Sequence, residues 1–91
     1  MRHLRSDYNR IQDPDGKIGA DEPVFLLRAQ DKAFPAILMT YIGYQRAIGN
    51  EELATFIEDQ MPSVHEWREA HACKQADLPW DAEPGLPTAG R

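Results

Sequence analysis

One cysteine in 91 residues leaves Cys73 without an intrachain disulfide partner, so the fold must hold by packing, and this usage fits a reducing compartment. No apolar run approaches the roughly 20 residues that cross a bilayer, and the opening MRHLRSDYNR lacks the apolar stretch of a signal peptide. A soluble, cytoplasmic protein is expected. A basic stripe is missing too. Residues 1–20 carry four Lys/Arg against three Asp/Glu, residues 21–50 three of each, and residues 51–91 three against nine, for a net charge of -5. Nucleic-acid binders draw affinity from cations set against phosphates, so this balance argues against nucleic acid as a partner. It suits a basic protein partner instead.

Signatures of catalysis are also lacking. The chain has no G-x-S-x-G, no Walker-type loop and no G-x-G-x-x-G. His71 stands two positions from Cys73 and diverges from it on a helix, so the thiol has no local base. His65 and His71 are six apart, where a helical metal pair wants one turn. No catalytic residue, metal ligand or cofactor is expected.

What is present is helical punctuation. In DKAFPAILMTYIGYQRAIGN, the residues Phe34, Ile37, Leu38, Tyr41, Ile42, Gln45 and Ile48 recur at i, i+3, i+4, i+7, which predicts one inward face broken only by Gln45. Asp31 is the expected N-cap, Pro35 fits the first turn, and Gly49 should close the helix. Gly43, costly inside a helix, suggests close approach of another helix. A second helix is expected from Asn50 as N-cap through Met61, with Leu53, Phe56, Ile57 and Met61 inward and Pro62 as its stop. Ser63 and Glu66 form a capping-box pattern that would open a third helix, with Val64, Trp67, Ala70 or His71, and Lys74 along one side. Phe34, Tyr41, Phe56 and Trp67 are the expected aromatic core.

Before the helices, the apolar run Val24 to Leu27 fits a buried strand or a turn of helix by periodicity alone, and Pro23 ahead of it favours a short strand over 24–29. Its expected partner is the arm near Ile11 or Lys17 and Ile18 folded back as a hairpin, or the same strand of another copy. DPDGKIGADE matches part of a calcium loop, but position 1 of that template falls on Ile11. Pro14-Asp15-Gly16 is the better description of a tight turn. The fold class is therefore mostly α: a three-helix domain with an irregular N-terminal arm and room for one short β-strand pair. The arm and turn span 1–22, the helical domain 23–76, and a Pro/Gly-rich tail 77–91.

Two sets of surface residues are candidates for binding. Tyr8, Arg10, Lys17 and Arg28 combine an aromatic face with cations, the chemistry that holds a phosphate or a nucleotide. Their alternative is mutual neutralisation with Asp7, Asp13 or Asp31. Tyr44, which falls off the main apolar stripe, and Trp80, in the proline-rich tail, either fold back over the bundle or join Glu58, Asp59 and Glu66 as a candidate protein-contact set.

DYNRIQDPDGKIGADEPVFLLRAQD, residues 7–31, resembles a group of short uncharacterised proteins of tailed phages and prophages, through DYNRIQDP, DEP and VFLLRAQD. The resemblance covers about a quarter of the chain and implies a phage origin. Small phage proteins of this kind bind and disable host machinery, including CRISPR effectors and other defence systems. The leading expectation is thus a non-enzymatic, homo-oligomeric binding protein that blocks a host protein. A nucleotide sponge at the arm is the alternative, and an enzyme the third choice.

Overall fold

The computed structural model describes residues 1–79. The chain divides into two compact units, one of Met1–Leu26 with the segment beginning at Asp77, the other Leu27–Ala76. Trp80 and most of the expected tail lie outside the described residues.

In the first unit, strand β1 (Arg2–His3) pairs in parallel with β2 (Pro23–Val24), with Arg2 opposite Pro23 and His3 opposite Val24. Arg2 N donates to the Glu22 carbonyl and Leu4 N to the Val24 carbonyl, each at 2.8 Å. Pro23 sits at the first strand position, where its missing N–H costs nothing. The expected strand over 24–29 and its hairpin partner are corrected: the strand is two residues long and its neighbour is the start of the chain. Parallel pairing needs a crossover of about a dozen residues or more, and residues 4–22 supply it. The crossover contains the expected turn. Gly16 N donates to the Asp13 carbonyl at 3.1 Å, and Gly16 takes φ 64°, a conformation that side chains resist. Both Asp13 carboxylate oxygens accept backbone N–H groups, from Lys17 and Ile18, each at 2.9 Å. That is turn chemistry.

The second unit holds helices α1 (Phe34–Ala47), α2 (Glu51–Glu58) and α3 (Met61–Ala70). Helix α1 starts three residues beyond the predicted cap. Asp31 Oδ1 accepts the Ala33 N–H at 2.8 Å in a local turn, and the helix begins so that Pro35 falls in its first turn. Its end is as predicted: Gly49 at φ 87° donates to Arg46 O at 3.1 Å and Asn50 N to Gln45 O at 2.8 Å, the paired bonds of a Schellman motif.

Pro62 acts earlier than predicted. A proline ring collides with the carbonyl four residues before it, here that of Glu58, where α2 ends. Met61 and Pro62 then open α3, and Ser63 Oγ donates to Gln60 O at 2.8 Å in place of the expected capping box. Lys74 lies past the end of α3. Its N–H donates to Gln30 O at 2.9 Å and its carbonyl accepts Lys32 N at 3.0 Å, a one-residue parallel bridge that returns the chain to the entry of α1.

The core is Ile42, Ala54 and Met61, with Leu38 and Ile57 packed against it. Helices α1 and α2 lie along each other, while Met61, the first residue of α3, completes their core. The expected three-helix domain is in this respect a two-helix hairpin with a third helix appended, and the fold is mostly helical with one short strand pair. Gly43 does not mark a helix crossing, because a Cβ there would meet nothing within 4 Å. Among the described residues no helix is long and apolar enough to cross a membrane.

Candidate protein-interaction surface

An α-helix turns about 100° per residue, so a single neighbour covers only one stripe of it. On α1 the covered stripe is Leu38, Ile42 and Gln45, because α2, eight residues long, is the helix packed there. Gln45, expected as a flaw in the apolar face, is buried near its centre and accepts from Asn50 Nδ2 at 3.0 Å. A buried amide with a partner is tolerated where a bare one is costly.

The rest of the predicted inward face points outward. Ile37, Tyr41 and Ile48 are exposed, and Tyr44 joins them. The expected aromatic core is likewise corrected: Phe34 is half-buried, whereas Tyr41, Phe56 and Trp67 are exposed. Trp67 stacks on His71 at a ring separation of 4.1 Å, and His71 Nδ1 lies 2.7 Å from Trp67 O.

The two flanks of the hairpin differ in chemistry. On one, Arg46 Nε meets Glu51 at 2.8 Å, and the Arg46 terminal nitrogens meet both oxygens of Glu58 at 3.2 Å. These hydrogen bonds, that of Glu58 first and Glu51 next, hold the Arg46 guanidinium even more firmly protonated than usual. Since α1 and α2 run antiparallel, side chains displaced from the core in the opposite sense share the other flank. They are Ile37, Tyr41, Tyr44 and Ile48 of α1 and Phe56 of α2, exposed by 45 to 66%.

Of the predicted protein-contact residues, Tyr44 is thus on the apolar flank. Glu58 is on the charged flank and holds Arg46, and Asp59 and Glu66 are exposed beyond it in sequence. Trp80 lies outside the described residues.

The predicted ligand set is divided. Tyr8, Arg10 and Lys17 belong to the first unit and Arg28 to the second. Tyr8 is engaged by Arg5, whose guanidinium carbon stands 4.3 Å from the ring centroid. Arg5 is buried and also donates to both carboxylate oxygens of Asp7, at 3.1 and 2.9 Å, which raises its pKa further. Arg10 and Lys17 are exposed.

Two arginines escaped the sequence reading. Arg5 could have been suspected from Arg5-x-Asp7-Tyr8, which places an acid and a ring within reach of one guanidinium. Arg68 gave no such signal. Its Nη1 donates to Ala29 O at 2.5 Å and Asp31 O at 2.7 Å, tying α3 to the entry of α1. Among the described residues, no three His, Cys, Asp or Glu side chains gather where they could hold a metal ion.

Comparison of the chain with protein-family models, with curated proteins and with solved structures finds no match.

Proposed function

We propose that this chain is a non-enzymatic, phage-type binding protein that acts by occupying the surface of a host protein, and that it does so as a homo-oligomer. One observation carries the reading. Three hydrophobic residues are buried, while ten large ones stand exposed among the described residues. Isolated apolar side chains at a surface are ordinary, but a contiguous set belongs to contact with other proteins. The phage origin rests on the resemblance of residues 7–31.

The host-facing surface in this proposal is acidic. Asp59 and Glu66, with Glu69 beside them in sequence, are exposed carboxylates, and a basic protein surface is their complement. The nucleotide-sponge alternative gains no support from Tyr8, which Arg5 already covers.

Capture from host lysate tests the proposal. A single protein should be retained by the native chain and lost with the charge-reversed pair Asp59→Lys and Glu66→Lys, read by mass spectrometry. The native chain's melting temperature should not move with a panel of nucleotides. A nucleotide that raises it by mass action, with no retained protein, transfers the function to the sponge.

A further inference from the structure

We infer that the apolar flank of the α1/α2 hairpin is the seam of a homodimer, its occupant a second copy of this chain. The inference rests on the homo-oligomer of the proposed function and deepens it by placing the contact between copies on this flank, whether or not a host partner is bound.

Three observations select a second copy. Ile37, Tyr41, Tyr44 and Ile48 follow one another at intervals of 4, 3 and 4 residues, the spacing at which one helix lays a continuous row along another. The row runs nearly the whole length of α1, so an identical helix matches it end to end.

The second observation is charge. Between Phe34 and Ala47 the only charged residue is Arg46, and its guanidinium is held by Glu51 and Glu58 on the other flank. Two copies of a chain with net charge -5 repel each other wherever acidic surfaces meet. The row is uncharged and bordered by Ala36, Thr40 and Ala47, so it is where two copies approach without placing like charges together.

The third is area. Ile37 is 46% exposed, Tyr41 45%, Tyr44 61%, Ile48 60% and Phe56 66%. At about 200 Å² for a full side chain of this size, the five present roughly 550 Å², and two copies roughly 1,100 Å². The small residues alongside bring the total to about the 1,200 Å² at which stable dimers begin. The core of Ile42, Ala54 and Met61 is small for a free-standing hairpin, and pairing of two hairpins adds the missing burial.

The test is sedimentation equilibrium of the full chain across a dilution series, with far-UV circular dichroism at each concentration. The native chain should weigh twice its 10.4 kDa at tens of micromolar and gain thermal stability with concentration. Tyr44→Ala and Ile48→Ala should each raise the dimer dissociation constant about tenfold or more. Ile48→Lys should abolish the dimer. Met39→Lys is the control: Met39 is half exposed on α1 but off the row, and its dimer should be unchanged.

A native chain that is helical and monomeric overturns the inference, as does a dimer indifferent to all three row variants or equally broken by Met39→Lys. A monomer that captures host protein and loses it with Tyr44→Ala assigns the flank to the host. A monomer that captures no host protein overturns the host binding as well. Both results overturn the dimer and with it the homo-oligomer of the proposed function, and the first leaves the binding of a host protein standing.

Discussion

Replacement of Ile42 by alanine should remove most of the stability of the helical unit. Ile42 is 1% exposed and is the one large side chain buried completely among the described residues, at the contact with Ala54 and Met61. The change deletes three carbon atoms, worth about 2.4 kcal/mol of transfer free energy at roughly 0.8 kcal/mol each. An unfilled cavity brings the expected cost to about 3–4 kcal/mol. A chain of this length is stable by about 5–14 kcal/mol, and so small a core places it near the lower end. Urea unfolding followed by circular dichroism at fixed protein concentration is the assay. With a slope of about 1 kcal/mol per molar, the midpoint should fall by about 3 M. Met39→Ala, a half-exposed change on the same helix, should shift it by no more than about 0.5 M. A fall below about 1 M for Ile42→Ala, or equal falls for the two variants, would refute the assignment of the core to this stripe of α1.

Gly43→Ala should stabilise the helical unit by about 0.5–1 kcal/mol, since the added methyl meets nothing and the helix loses its most flexible residue; a lower melting temperature would mean that something approaches that surface closely. Arg68→Ala should cost about 2–3 kcal/mol by leaving the Ala29 and Asp31 carbonyls without their cationic donor, and amide exchange at Lys32 and Lys74 should accelerate, whereas unchanged protection would show that the bridge closes without it. Arg46→Ala should lower the melting temperature slightly, by an amount that shrinks as salt is raised, because its two ion pairs are exposed; a salt-independent loss would point to packing instead. Asp13→Ala should release the Lys17 and Ile18 amides to fast exchange, and their continued protection would show that the backbone alone sets that turn.

Local signals were legible where one residue type has one physical use. Gly49 and Gly16 occupy the positive-φ positions that the helix end and the turn require, and Pro23 stands at a strand start. The predicted apolar face of α1 was legible only as a broad arc. Ile37, Leu38, Tyr41, Ile42 and Ile48 are all apolar, so helical spacing admits more than one inward stripe. The buried one was selected by its neighbours: the α2 side chains Ala54 and Ile57 fit against Leu38 and Ile42, and Asn50 satisfies Gln45. The candidate contact surface was legible in part. Tyr44 falls off the predicted inward face, whereas Tyr41 and Phe56 read as core although the core is too small to hold them.

From the chain alone follow a mostly helical class, an acidic C-terminal half, the stop at Gly49 and the turn at Gly16, because each depends on composition or on backbone conformations reached within a few residues. The parallel partner of Pro23–Val24, the clamp of Arg68 on Ala29 and Asp31, and the division of the hairpin into a charged and an apolar flank required tertiary structure. These features join residues about 20 to 40 positions apart, or depend on how short α2 is, and no local pattern encodes which distant backbone group or helix stripe will be the one within reach.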